Sequence, residues 1–142
     1  MGRVILRGTV LAPGSASGAA LVLTEPLSLW GGLDAATGAI IDAHHPQRAV
    51  SVSGRVLVMP SARGSSSSAS VLAEAVRLRT APAAIVLGEV DLILAVGAAV
   101  AAELYGVQLP VVVLASADLA RLSDGAIATI ATRTGGARVS LA

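Results

Sequence analysis

The sequence predicts an α/β fold, and more narrowly a compact barrel-like domain built from strands and helices. Hydrophobic residues make up 54% of the chain but aromatic residues only 1%, so the core must consist of Val, Leu, Ile and Ala. Such thin, branched side chains suit strands that are covered by helices. The first half is rich in strand patterns, whereas the second half alternates helices and strands. This order fits a β/α barrel better than a doubly wound sheet.

In the first half, strands are predicted where aliphatic runs lie between turn residues such as Pro13 and Gly14. A glycine-rich stretch that contains the single tryptophan is predicted to be irregular. In order, we expect strands at Val4–Leu11 and Ala19–Leu23, the irregular segment Glu25–Gly38, a short strand at Gly38–Asp42, a loop at His44–Gln47 and a central strand at Arg55–Met59.

In the second half, apolar runs without polar alternation indicate strands buried on both faces. Amphipathic and apolar runs that end near Pro82 and at Gly106 indicate helices. We expect helices over Ser66–Arg79 and Leu92–Leu104, a helical turn at Asp118–Leu122, and strands at Ala83–Leu87, Pro110–Leu114, Ala126–Ala131 and Val139–Leu141. Since no linker or repeat interrupts the chain, residues 1–142 are expected to form one domain.

Composition argues against several classes of function. The net charge is +1 and the ten basic residues, all arginine, are dispersed, so we expect no arginine cluster and no nucleic-acid binding. Without cysteine the chain can form no disulfide and offer no thiolate to a metal. The first residues do not resemble a secretory signal, and Glu89 and Asp91 interrupt the most apolar region. We therefore expect a soluble, cytoplasmic protein with no membrane segment.

The most informative segment is Pro60–Ser70, where a strand is predicted to lead into a helix. Arg63, Gly64 and four consecutive serines lie at this junction. The first turn of a helix has unpaired N–H groups and a partial positive charge, which together can bind a carboxylate or phosphate. Gly64 would let the backbone approach such a ligand, and Arg63 could hold it with two hydrogen bonds. An alkoxide would also be least costly here, although plain capping by serine remains an alternative.

Other candidate residues have a functional and a structural interpretation. Trp30, with Gly31 and Gly32, is expected to line a pocket or a subunit interface, and the alternative is a core position. For the remaining polar residues we expect structural roles. His44 and His45 are predicted to lie in a polar loop with no metal site, and Asp34 and Asp42 are predicted to lie in turns. Asp91 is predicted to cap a helix, and Glu89 to lie either at the edge of the site or near that cap.

Several sequence blocks occur in an order that resembles a known family. They are Pro26–Asp34, Thr37–Asp42 with His45-Pro46, Arg63–Ser66, Ala81–Ile85 and Glu89–Ala98. The series is similar to the small subunit of the aconitase X family and covers nearly the whole chain. The resemblance implies a swivelling β/β/α fold, like the mobile fourth domain of aconitase. It also implies a large-subunit partner that carries an iron or iron–sulfur centre, with no cofactor bound by this chain.

The same resemblance implies a hydro-lyase that removes water from a small hydroxy acid. One branch of the family acts on cis-3-hydroxy-L-proline, which we favour here, and the other acts on mevalonate 5-phosphate. The serine directly after Arg-Gly is the family's proton acceptor, so Ser65 is the expected catalytic base. Arg63, Gly64, Ser66 and Ser67 are expected to bind the substrate. The alternative is a stand-alone regulatory or binding module that holds a small carboxylate around Arg63 and Ser65.

Overall fold

Seven strands close into a barrel in the computed structural model, which describes residues 3–142. The strands are β1 (Val4–Ala12), β2 (Ser15–Val22), β3 (Val56–Met59), β4 (Ala84–Leu87), β5 (Val111–Val113), β6 (Ile127–Arg133) and β7 (Gly136–Leu141). Around the barrel their order is β1-β5-β4-β3-β2-β6-β7, and β7 pairs with β1 to close it. The barrel therefore joins the two halves of the chain in one sheet.

One part of the barrel is parallel and the other antiparallel. Strands β2, β3, β4 and β5 pair in parallel, whereas β2–β6, β6–β7, β7–β1 and β1–β5 are antiparallel pairs. Strand β2 belongs to both parts: Ser15–Ala19 pairs with β6, and Ala20–Val22 pairs with β3. This change of partner within one strand links the parallel and antiparallel parts.

The helices are α1 (Leu29–Gly32), α2 (Ser68–Arg77), α3 (Leu92–Tyr105) and α4 (Ser116–Leu119). The first is one irregular turn, because Trp30 and Gly31 have non-helical backbone angles. Helix α2 is amphipathic and buries Leu72, Ala75 and Val76. Its neighbour α3 approaches closely, because Gly97 has no side chain to keep it from the Ala69 backbone.

Apolar side chains form two cores, one on each side of the parallel strands. Inside the barrel the packed residues include Val56, Val58, Val86, Val112, Ile130 and Val139. Between the outer face of the parallel strands and the helices, the packed residues include Leu57, Met59, Ile85, Leu87, Leu72 and Leu94. Since successive residues of a strand point to opposite faces, strands buried on both sides must be apolar at every position, and β3 and β4 are.

The predicted fold class is confirmed, and several predicted boundaries are wrong. Gly38–Asp42 makes only isolated bridges, Leu33–Ile40 and Ala39–Ser51, because its backbone hydrogen bonds are divided between two different segments. Strand β2 begins at Ser15 rather than Ala19, since its first residues have a partner in β6. Likewise β7 begins at Gly136, where it forms a hairpin with β6. Within residues 3–142, no helix combines the length and apolar character needed to cross a bilayer.

Candidate functional site

Two separate segments of the predicted site lie side by side. The segment Leu27–Gly32 contacts the segment Ala62–Ser68, starting with a parallel bridge between Leu27 and Ala62. The Arg63 N–H donates to the Leu27 carbonyl at 3.3 Å. The tryptophan segment and the serine segment, predicted as separate candidates, therefore form one surface beside the end of β3.

Ser65 occupies the turn that precedes α2, and its side chain is exposed. Its Oγ accepts a hydrogen bond from the Ser67 N–H at 3.1 Å, and its carbonyl accepts one from the Ser68 N–H at 2.9 Å. A hydroxyl oxygen that accepts a hydrogen bond from a backbone amide is better prepared to hold negative charge. Ser65 is thus both accessible to a ligand and placed next to a donor.

Helix α2 begins at Ser68, two residues later than predicted. Ser67 occupies the N-cap position, but its side chain makes no capping hydrogen bond. The hydroxyl of Ser65 instead closes the turn before the helix. Capping by a serine at the N-cap therefore does not explain the run of four serines, and Ser66 and Ser67 remain exposed beside Ser65.

Gly64 is fixed by its surroundings as well as by its backbone. Its φ of +101° lies in the region that side chains rarely adopt. A Cβ at this position would collide with the Oγ of Ser28 and lie 2.9 Å from the Ser28 Cβ. The Ser28 hydroxyl in turn donates to the Trp30 carbonyl at 3.0 Å. Glycine is therefore required for the two segments to approach, and it leaves Arg63 exposed on the same surface.

Trp30 is 57% exposed, so the core interpretation of this residue is wrong. Its side chain borders a groove that Ser67, Ser70 and Glu74 of the α2 region also line. Gly31 next to it is exposed, whereas Gly32 is buried against Leu27. The pocket-or-interface prediction for Trp30 is consistent with this placement.

Ser68 has a role that sequence reasoning missed. It lies within the predicted helix Ser66–Arg79, but its side chain is buried and its Oγ accepts a hydrogen bond from the Trp30 N–H at 3.1 Å. This bond attaches the tryptophan turn to the first residue of α2. The only sequence signal was that four serines exceed what one helix cap needs.

Most of the polar residues that were predicted to have structural roles do have those roles. Asp91 caps α3 by accepting from the Leu94 N–H at 2.9 Å, and Asp34 and Asp42 accept from backbone amides in turns. His45 is buried: its Nδ1 accepts from the Gln47 N–H, so its Nε2 donates to the Glu25 carbonyl. Over residues 3–142, no group of three or more His, Asp or Glu side chains could hold a metal ion.

One expectation about charge is wrong. The ten arginines are dispersed along the sequence, but Arg7, Arg133 and Arg138 line one cavity on the antiparallel part of the barrel. The error arose because the register of strands far apart in sequence, rather than local sequence, brings these side chains together.

Comparison with known proteins gives consistent relatives. Residues 5–139 match the model of the aconitase X swivel domain. The chain is 46% identical over 122 residues to the cis-3-hydroxy-L-proline dehydratase of Pseudomonas aeruginosa, matching 81% of this chain and 21% of that protein. It is 41% identical over 92 residues to the phosphomevalonate dehydratase small subunit of Methanothermobacter thermautotrophicus, matching 65% of this chain and 70% of that protein.

The fold has a solved counterpart as well. The crystal structure of Thermococcus kodakaraensis aconitase X in its holo-form superposes with a TM-score of 0.85 at 29% identity and covers 98% of both chains. The chain spans about a fifth of the length of the first curated relatives it matches, which are cis-3-hydroxy-L-proline dehydratases. It spans most of the length of the phosphomevalonate dehydratase small subunits.

Proposed function

The chain belongs to the aconitase X swivel-domain family, and from that premise we propose that it is the small, swivelling subunit of an aconitase X-type dehydratase. In this role it works with a large subunit to remove water from a small hydroxy acid. The observation that carries the proposal is the placement of Ser65: an exposed hydroxyl whose oxygen accepts a hydrogen bond from the Ser67 amide beside Arg63.

Ser65 is the proposed base. Its alkoxide would take the proton from the carbon next to the one that bears the hydroxyl, and the electrons of that C–H bond would form the double bond as the hydroxyl leaves with its bonding pair as hydroxide. Transfer of the proton from Ser65 to that hydroxide, directly or through solvent, would release water and restore the alkoxide. A free serine is a weak base, so the alkoxide needs stabilisation. The Ser67 N–H donates one hydrogen bond to the oxygen. The positive charge of Arg63 and the partial positive charge at the N-terminus of α2 lower the free energy of the alkoxide further.

Arg63 is the proposed anchor for the substrate's acidic group. Its backbone is held by the Leu27 carbonyl, while its guanidinium is free to extend from the surface. The exposed backbone at Gly64 and the exposed hydroxyls of Ser66 and Ser67 complete a polar surface. In this arrangement the anchor Arg63 and the base Ser65 lie two residues apart, so binding of the acidic group would bring the reacting carbon close to the base.

The metal expected for this chemistry would belong to the large subunit, because the described residues offer no group of ligands for one. When bound there, it would serve as the Lewis acid for the departing hydroxyl. What this chain contributes is the base, the anchor and the cover that excludes water once the two subunits meet.

Exposed apolar surface supports the need for a partner. On α3, the side chains of Leu92, Val96 and Leu104 are each more than half exposed, and they repeat every four or eight residues along one face. The opposite face of the same helix packs on α2 and the sheet. A helix that is apolar all round is normally buried, so this face, like Trp30, favours cover by another chain.

For the substrate we favour cis-3-hydroxy-L-proline, followed by mevalonate 5-phosphate. The 46% identity to the Pseudomonas aeruginosa protein over 122 residues supports the first choice. Both compounds carry a carboxylate that Arg63 could bind, so the anchor itself is compatible with either.

Reconstitution tests the proposal. The chain would be combined with an aconitase X large subunit from the same organism, loaded with iron, and incubated with each substrate while dehydration is followed by proton NMR. We expect product only from the pair, and more from cis-3-hydroxy-L-proline. The chain alone and the large subunit alone are the controls. Turnover by the chain alone, or binding of a carboxylate with no turnover by the pair, would contradict the proposal, and the second result would favour a binding module.

A further inference from the structure

Three arginines converge on the outer face of the antiparallel part of the barrel. Arg7 of β1 is the register partner of Arg138 of β7. Arg133 of β6 pairs with Gly136, two residues before Arg138 on the same face. Side chains directly opposite each other in an antiparallel pair have Cβ atoms about 5 Å apart, and diagonal neighbours about 7 to 8 Å. All three guanidinium groups are therefore within reach of a common point.

The surface between them is concave and has small side chains. Together with the arginines, Gly8, Ala131, Gly135, Gly136 and Ala137 line a cavity of about 300 Å³. That volume is about ten times the share of one liquid water molecule, about 30 Å³. Since glycine and alanine leave the backbone accessible, a small ion can sit between the arginines.

The charges here have no compensation within the sheet. Strands β1, β2, β6 and β7 contain no Asp or Glu. Among residues 3–142 the ion pair is Arg77–Glu74, on α2. Within these residues Arg7, Arg133 and Arg138 therefore have no carboxylate partner. Like charges directly opposite each other in a sheet are destabilising. The pairing of Arg7 with Arg138 therefore favours binding of an anion between them.

We propose that this cavity, which we call the arginine cavity, binds a small phosphate-bearing anion. Guanidinium groups match phosphate oxygens with paired hydrogen bonds, and a doubly charged tetrahedral group can accept from all three arginines. A single carboxylate has one charge and one pair of oxygens, so it could form a paired hydrogen bond with only one of the three arginines and would balance less of their charge. This site does not depend on the proposed dehydratase function, and it uses none of the residues around Ser65.

Calorimetric titration of the chain with inorganic phosphate, in a chloride buffer of constant ionic strength, measures this binding. We expect saturable binding in the millimolar range or tighter, weakened about tenfold by each of Arg7→Gln, Arg133→Gln and Arg138→Gln. Arg138→Lys should fall between, since it keeps the charge but loses the paired donors. Arg121→Gln, an exposed arginine elsewhere, is the matched control and should bind normally.

Thermal unfolding adds a readout that a purely structural arginine would not give. Without phosphate, Arg7→Gln should unfold at a slightly higher temperature than the unchanged protein, because it removes the opposed charge. With phosphate, the unchanged protein and the Arg121→Gln control should gain more stability than the three arginine-cavity variants at the same phosphate concentration. Phosphate binding that all three arginine-cavity variants retain would overturn the proposal. So would the absence of saturable binding, or binding only to an oligonucleotide, which would indicate an extended electrostatic surface instead.

Discussion

Replacing Gly64 with alanine tests whether the two segments of the site are fitted to each other. The backbone φ of +101° is expected to cost alanine about 1 to 2 kcal/mol. The new Cβ would also displace Ser28, whose hydroxyl donates to the Trp30 carbonyl at 3.0 Å, and the loss of that bond adds about 1 kcal/mol. We therefore expect Gly64→Ala to lower the free energy of unfolding by about 2 to 3 kcal/mol, measured by urea denaturation.

A second background separates the two contributions. Ser28→Gly removes both atoms that the new Cβ would meet, so there Gly64→Ala should cost only the backbone strain. Gly31→Ala and Gly125→Ala are matched controls, because both glycines have positive φ with no atom within 4 Å of a Cβ, and each should lose about 1 kcal/mol. The reasoning is refuted if Gly64→Ala costs no more than these controls, or costs the same with and without Ser28.

Three further predictions concern the helices and the tryptophan. Gly97→Ala would place a Cβ 2.9 Å from the Ala69 carbonyl oxygen, so we expect urea denaturation to show a free energy of unfolding lower by about 1 to 2 kcal/mol. Gly135→Ala is the control and should be neutral, because a Cβ there would lie in open space. Equal effects of the two substitutions would contradict the close packing of α3 on α2. Asp91→Ala should cost about 1 kcal/mol in the same assay through loss of the helix cap, whereas no loss would mean that the cap is dispensable. Trp30 fluorescence in the isolated chain should be quenched readily by acrylamide, and a protected, blue-shifted emission would contradict its exposure.

Local signals in the sequence were sufficient for α3 and for the buried strands. The start of α3 follows from Asp91, and its end from Gly106, which adopts the left-handed conformation with φ of +68°. Strand β4 follows from an uninterrupted apolar run. In each of these cases the element is determined by residues that are close together in the sequence, so the local sequence pattern is enough to predict it.

Features set by distant contacts could not be predicted. The start of β2 depends on pairing with β6, more than a hundred residues later. The role of Ser68 depends on the Trp30 amide, 38 residues away, and the arginine cavity depends on the register of β1 with β7. The serine segment was found because its residue types are unusual at a strand-to-helix junction, but its connection to the tryptophan turn needed the folded chain.

The most direct test of the proposed catalytic role compares two serines three residues apart in the assembled enzyme. Ser65→Ala removes an exposed hydroxyl, so we expect turnover to be abolished while the free energy of unfolding falls by about 1 kcal/mol or less. Ser68→Ala leaves the Trp30 amide without its partner, so it should cost about 1 to 2 kcal/mol yet retain turnover per folded molecule. Turnover and urea unfolding measured on both variants should therefore show opposite patterns. Near-normal turnover by Ser65→Ala, or a loss only in proportion to unfolding, would contradict the account.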